Sequence, residues 1–93
     1  MRYAVRYSQV ALDALARLRP FDRRAILNQI DRLLTANPTL QSKARIKRLR
    51  QPAPTEYRLR VGEFRVLYDV SEQSVTIVLI LSKEEAEREL GDS

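Results

Sequence analysis

Three arginines lie within eight residues of one another in the segment YRLRVGEFRVLY, residues 57–68. Arg58 and Arg60 precede a glycine–glutamate pair, and Arg65 follows it. Glycine at the first central position suits a two-residue type II′ turn between two strands. With that turn Arg60 faces Arg65, and side-chain alternation places all three arginines on one face of the hairpin. The opposite face is predicted to join the core and bears Tyr57, Leu59, Val61, Phe64, Val66 and Tyr68.

Such a cluster of guanidinium groups is suited to holding an anion. Like charges directly opposed on a sheet cost about 0.2 to 1 kcal/mol, and a guanidinium group does not lose its proton to relieve the repulsion. Arginine forks match the oxygens of a phosphate group. We therefore expect the trio on the solvent side of the sheet as a phosphate-binding site, with Arg65→Ala removing activity but leaving the fold intact. The alternative, in which the arginines pair with Glu56, Glu63 and Asp69, remains open.

A second basic segment, KARIKRLR, precedes the hairpin at residues 43–50 and leads towards its first strand. Together with the net charge of +5, it favours a polyanionic partner such as nucleic acid or an acidic protein segment. We expect the segment to extend the phosphate-binding surface through its five cations, Lys43, Arg45, Lys47, Arg48 and Arg50.

The composition limits the remaining chemistry. The chain has 93 residues, which predicts a single domain over 1–93. It contains neither cysteine nor histidine, so we expect no disulfide, no metal and no other cofactor, and a cytoplasmic location. The sequence has no apolar run of about eighteen residues that would indicate a membrane span, and its first residues lack the apolar segment of a secretory signal.

Hydrophobic periodicity predicts an α+β fold. Residues 2–7 alternate as a strand, and two amphipathic helices follow, from a Ser8 N-cap to about Leu18 and over about 21–36. After a connector without clear periodicity at 39–54, strands are predicted over 56–61, 64–70 and 75–81. Ser82-Lys-Glu-Glu85 resembles a capping box that opens a short helix over 83–90. The strands form one mainly antiparallel sheet, and the helices pack on one face of it.

The segment YRLRVGEFRVLYDV, residues 57–70, resembles the hairpin of the RelE/ParE superfamily, the toxins of bacterial type II toxin–antitoxin pairs. SQVALDALARL is similar to the first helix of that superfamily, and KARIKRLR to the lead-in to its hairpin. The resemblance implies a β-α-α-β-β-β-α order and a cognate antitoxin with an acidic, partly disordered tail as partner.

The resemblance also implies two alternative activities. RelE-like members cleave mRNA in the ribosomal A site, whereas ParE-like members inhibit DNA gyrase and are not nucleases. RelE-like members bind the scissile phosphate through basic residues of the central strands, which correspond here to Arg58, Arg60 and Arg65. The first activity, a ribosome-dependent endoribonuclease that arrests translation, is the main expectation. The gyrase toxin and a catalytically weakened RNA-binding member are the alternatives.

Two positions after the last strand depart from the RelE-like pattern. Lys83 is retained as a candidate catalytic residue, but Glu84 stands where an arginine is common, and Leu90 stands near the place of a tyrosine. Cleavage through the 2′-hydroxyl of RNA needs a proton acceptor, cations for the pentavalent phosphate and a proton donor. The arginines can supply the cations, and Lys83 is the candidate for proton transfer.

Overall fold

Within residues 2–91, which the computed structural model describes, five strands form one sheet in the order β1-β5-β4-β3-β2. The strands are β1 (Ala4–Tyr7), β2 (Ile46–Arg48), β3 (Tyr57–Val61), β4 (Phe64–Val70) and β5 (Ser74–Ser82). β1 runs parallel to β5, and the other neighbours are antiparallel. The α+β class and the mainly antiparallel sheet are therefore confirmed. The connector predicted to be irregular contributes β2, a short additional edge strand.

Two helices, α1 (Gln9–Arg17) and α2 (Pro20–Gln29), form the predicted hairpin. Ser8 begins α1, because its Oγ accepts from the Ala11 N–H at 3.0 Å and donates to the Val78 carbonyl at 2.7 Å. The guanidinium of Arg23 on α2 donates to the carbonyl oxygens of Leu15 at 2.9 Å and Leu18 at 2.7 Å. These bonds satisfy carbonyl groups at the end of α1 and fix the two helices together. The second helix continues as a π-helical segment over Ile30–Leu34.

The core lies between this helical hairpin and one face of the sheet. It joins Leu15, Ile26, Ile30 and Leu34 of the helical region to the alternating residues that the sequence placed on the core face of β3 and β4. The rings of Tyr57 and Tyr68 stack with centroids 5.6 Å apart. Inside this core the Tyr68 hydroxyl donates to the Pro38 carbonyl at 2.6 Å, which holds the connector against the sheet.

A further helix, α3 (Lys83–Leu90), packs against β4 and β5. Its buried Ala86 is not part of the core cluster, which places α3 on the opposite face. Its first N–H, at Lys83, donates to the Glu63 carbonyl in the β3–β4 turn at 2.8 Å. Its last residues line a groove together with residues of β2 and of the segment that follows it, between 47 and 54. The helix therefore crosses the sheet from the turn towards the β2 edge, and its Ala86 is fully buried. The prediction that the helices share one face is wrong for α3. Over residues 2–91, no helix combines the length and the apolar character needed to cross a bilayer.

Candidate anion-binding site

The predicted register of the arginine hairpin is confirmed. Arg60 pairs with Arg65 and Arg58 with Leu67, and the turn is closed by Gly62 with φ of 56°, a conformation that favours glycine. Because side chains alternate along strands, Arg58, Arg60 and Arg65 share one face of the sheet, which we call the arginine face.

Strand β2 adds cations to the arginine face. Lys47 pairs with Arg58, and the Arg60 N–H donates to the Arg45 carbonyl at 2.8 Å. Two cross-strand rows result, one with Arg45, Arg60 and Arg65, the other with Lys47, Arg58 and Leu67. The sequence predicted the pairing of Arg60 with Arg65 but not the register of β2, because a strand of three residues is too short to show an alternation of apolar and polar residues.

The three arginines differ in how far they are exposed. Arg58 and Arg65 retain 5% and 2% of their surface, so the prediction of a fully solvated trio is wrong at these two positions. The Arg65 Nη1 donates to the carbonyl oxygens of Gly62 and Phe64, each at 3.0 Å, and the Arg58 Nη1 donates to the Arg45 carbonyl at 3.3 Å. These hydrogen bonds to backbone carbonyls fix both guanidinium groups in place.

The solvent-accessible part of the arginine face is a groove of about 420 Å³. Arg60 in it is half-buried, while Lys43 and Lys47 are exposed. An anion entering from the solvent meets these three cations first and finds Arg58 behind them. Charge-assisted hydrogen bonds to phosphate oxygens are the chemistry that this arrangement offers. The groove is lined by Gln41, Ser42, Lys43, Ile46, Lys47, Arg58 and Arg60.

The other cations of KARIKRLR lie elsewhere. Arg48 covers the Tyr57 ring, with its guanidinium carbon 5.5 Å from the ring centroid, and its Nη1 donates to the Tyr57 hydroxyl at 3.1 Å. Arg50 lines a separate groove beside the end of α3. Arg45 turns towards α2 and donates to the Gln29 side chain. The five basic residues therefore do not form one surface; Lys43 and Lys47 alone among them line the 420 Å³ groove.

Two acids that the sequence offered as partners of the arginines occupy the far end of the hairpin. The Glu56 N–H donates to Asp69 Oδ1 at 2.8 Å, and the Val70 N–H donates to Glu56 Oε1 at 3.1 Å. Each carboxylate thus accepts a backbone hydrogen bond, and these bonds close the end of the β3–β4 pair opposite the turn.

The start of α3 is tied to the same turn as Arg65. Gly62 of that turn accepts from Arg65, and Glu63 accepts from the Lys83 N–H. The predicted capping box is present: Ser82 Oγ accepts from the Glu85 N–H at 3.1 Å, and Glu85 Oε1 accepts from the Ser82 N–H at 2.8 Å. The hydrogen bond from the Ser82 backbone lowers the pKa of Glu85.

These bonds place Lys83, the candidate for proton transfer, half-buried beside the turn. Glu84, where RelE-like toxins carry an arginine, is exposed, and Leu90 is half-buried.

A second polar groove, of about 540 Å³, lies between α2 and the ends of β2 and β3. Asn28, Gln29 and Arg32 of the helical region line it, together with Arg45 and Arg60. The spacing of the three helical residues fits an ordinary solvated helix face and therefore did not predict a site. The packing of α2 against the sheet edge brings them together.

Comparison with known proteins agrees with this architecture. A family model described as the ParE toxin of the type II toxin–antitoxin system parDE matches residues 5–87. A chain of the archaeal RelE–RelB complex from Pyrococcus horikoshii OT3 is 25% identical, with 89% of this chain and 97% of that chain covered and a TM-score of 0.73.

Two further solved structures share the fold. A chain of the toxin–antitoxin complex RelBE2 from Mycobacterium tuberculosis is 24% identical, with coverage of 88% and 99% and a TM-score of 0.73. An arginine-to-alanine double mutant of E. coli RelE in the free state is 18% identical, with coverage of 98% and 96% and a TM-score of 0.72. A search of curated protein sequences gives no significant match. The family model and the shared fold together establish that the chain belongs to the ParE toxin family, within the RelE/ParE superfamily, and is a toxin of a type II toxin–antitoxin system.

Proposed function

We propose that this toxin arrests translation by cleaving mRNA at the ribosome. The observation that carries the proposal is the paired register that sets Arg60 opposite Arg65 and Lys47 opposite Arg58, around a groove open to solvent. Phosphates of a single strand can contact the arginine and lysine side chains of such a surface, and the affinity then depends on salt.

In the proposed reaction, the 2′-oxygen of a nucleotide attacks the adjacent phosphorus and the bond to the 5′-oxygen breaks. A 2′,3′-cyclic phosphate and a 5′-hydroxyl are the products. Arg60 and Lys47 bind the non-bridging oxygens, whose charge grows in the transition state, while Arg58 and Arg65 add positive potential from behind. The proton released by the 2′-hydroxyl is assigned to pass by way of Lys83, at the start of α3, to the leaving 5′-oxygen.

Direct contact of RNA with Arg58 and Arg65 requires this face of the sheet to open, because both side chains are almost fully buried. We infer that α3 is the element that moves. Helix α3 has eight residues, with Ala86 as its one fully buried side chain. A short helix with so little buried apolar surface is expected to open more easily than the core.

A second candidate function is inhibition of DNA gyrase. It is favoured by the burial of Arg58 and Arg65 beneath α3 and by Glu84 in the place of a RelE-like arginine. In that case the cations serve the stability of the fold and the contact with a protein target, and no RNA is cut.

The two functions are separated by inducible expression of the wild type, Arg60→Ala and a control, Arg24→Ala. Arg24 is exposed on α2 and is not among the residues of either groove. We expect the wild type and Arg24→Ala to stop amino-acid incorporation and to produce new mRNA 5′ ends in phase with codons. Arg60→Ala is expected to reduce cleavage about 100-fold, the usual loss for one transition-state donor.

Each alternative has its own signature in the same experiment. Loss of plasmid supercoiling with intact mRNA identifies gyrase as the target and overturns the nuclease proposal. Normal growth with a folded, abundant wild-type protein identifies a catalytically weakened member.

We further propose that a cognate antitoxin neutralises the toxin. Three of the similar solved structures are complexes of RelE with RelB. An amphipathic helix with an acidic tail fits the cations of the arginine face and the outer side of the helical hairpin. Co-expression with a cognate antitoxin is expected to restore growth and to yield a complex that high salt weakens.

A further inference from the structure

The groove between α2 and the sheet edge is a second cationic site that adjoins the arginine face. Its charged lining residues are Arg32, Arg45, Arg60 and one acid, Asp31. Asp31 already faces a cation outside this set, since its Oδ1 lies 3.7 Å from Arg2 Nη2. The lining therefore remains positive, and an anion is the ligand it attracts.

Arg60 connects the two grooves, because it lines both. Its cross-strand neighbour Arg45 and the Lys47–Arg58 pair lie two residues apart along β2 and β3, a step of about 7 Å in an extended strand. The cations thus form a continuous path from Lys43 and Lys47 across Arg60 to Arg32, which lies on the π-helical segment that continues α2. A linear polyanion matches a path of this kind better than a compact anion does.

The helical residues that line the groove include side chains that can recognise a ligand by hydrogen bonds as well as by charge. Asn28 is exposed and Gln29 half-buried, and both side chains carry an amide that can donate and accept hydrogen bonds. The Gln29 amide oxygen accepts from Arg45, and the NH₂ group of the same amide is a donor. Amides and arginine planes are the groups with which proteins hold the edges and faces of unstacked bases.

We propose that this groove binds one nucleotide of single-stranded RNA next to the strand segment held on the arginine face. Arg32 contacts its phosphate, and Asn28 and Gln29 contact its base. The site thereby gives the toxin a base preference at a position away from the cut. This inference rests on the proposed nuclease function for the identity of the ligand, and it assigns to α2 a role that the arginine face does not need.

The test measures binding of fluorescent single-stranded RNA to the purified toxin by anisotropy. Two lengths are used, roughly four and roughly twelve nucleotides, both within the range of site sizes of single-strand binding proteins. Arg32→Ala is compared with Arg24→Ala, which removes the same charge from the same helix outside the groove. We expect Arg32→Ala to weaken binding of the longer RNA several-fold and to lower its log–log salt slope by about 0.7. Arg32→Ala is expected to bind the short RNA about as well as the wild type does. Arg24→Ala is expected to bind both RNAs like the wild type.

Asn28→Ala adds a readout that charge does not affect. It is expected to leave the salt slope unchanged and to reduce the difference in affinity between oligonucleotides of different base composition.

If Arg60→Ala weakens binding while Arg32→Ala behaves like Arg24→Ala, the groove is not an RNA site although the proposed function stands. A wild-type protein that binds neither RNA shows instead that the proposed function has failed. If Arg32→Ala impairs binding of a glutamate-rich peptide and not of RNA, the groove is a protein interface and the inference is overturned.

Discussion

Side chains of the β3–β4 hairpin alternate between two faces of the sheet, and each face is covered by a different part of the molecule. On the core face, Leu59, Val66 and Tyr68 are completely buried beneath the α1–α2 hairpin. On the arginine face, Leu67 is equally buried, but its neighbours are two guanidinium groups and its cover is the eight-residue helix α3.

This difference separates stability from function. Burial of apolar side chains stabilises the core face without regard to direction. The buried arginines instead require hydrogen bonds at defined positions, because a charge taken out of water is costly unless it is compensated. The arginine face is consequently the more specific surface and the less stable one. A face of this type can hold charged groups ready for an anion, provided that its cover is able to move.

The largest expected contrast comes from matched truncations on the two faces. Leu59→Ala removes a fully buried core residue and is expected to cost about 2 to 5 kcal/mol of unfolding free energy. Leu79→Ala, on the arginine face by its pairing with Leu67 and only half-buried, is expected to cost less than half as much. Urea denaturation followed by circular dichroism measures both. Equal losses would show that α3 closes its face as firmly as the helical hairpin closes the core.

Arg65→Ala tests whether the buried arginines contribute to the fold. The structure replaces the expectation of an unchanged fold, since Arg65 is 2% exposed and donates to two backbone carbonyls. Its removal deletes two hydrogen bonds from a charged donor, which is expected to cost about 1.5 to 3 kcal/mol. Arg65→Lys, which keeps the charge but not the fork, serves as the control and is expected to recover part of the stability. If both variants unfold with the same free energy as the wild type, Arg65 does not stabilise the fold and the prediction is wrong.

The hairpin register and the helix starts were predictable because local rules determine them. A glycine in a two-residue turn fixes which residues face each other, and so Arg60 opposite Arg65 follows from the spacing alone. Ser8 and Ser82 cap their helices through their own neighbours in sequence. Each of these features depends on contacts within a few residues.

The burial of Arg58 and Arg65 was not predictable in the same way. It depends on the direction in which α3 leaves β5, and a capping box fixes only where the helix begins. The role of β2 was hidden for a related reason, since three residues are too few for an alternation to be recognised. The wall formed by Asn28, Gln29 and Arg32 depends on how α2 packs against the sheet edge, which is a tertiary property.

Tyr68 makes the stability of the core face depend on pH. Burial raises the pKa of Tyr68, Tyr57 adds to the rise, and Arg58 on the other side opposes it. Above pH of about 10 the unfolded chain releases the tyrosine proton, while the folded protein retains it. The contribution of the raised Tyr68 pKa to the free energy of unfolding is therefore complete below that pH and is lost as pH rises further. Tyr68→Phe is expected to cost about 1 kcal/mol near neutral pH and to make the alkaline decline shallower. An identical decline in both proteins would assign it to other groups.

The smallest effect concerns the cover of the arginine face. Ser82→Ala removes the side-chain half of the capping box and is expected to cost about 0.5 kcal/mol, at the low end for an N-cap because the helix is short and terminal. Hydrogen exchange of the α3 amides is expected to accelerate, while exchange in α1 stays unchanged.

If α3 is what covers the buried arginines, labelling of Arg58 and Arg65 by phenylglyoxal is expected to accelerate in parallel. Ser71→Ala, in the exposed β4–β5 turn, is the control. Faster exchange in α3 without faster arginine labelling would mean that the segment after β2, and not α3, closes this face, and access for RNA would then depend on that segment.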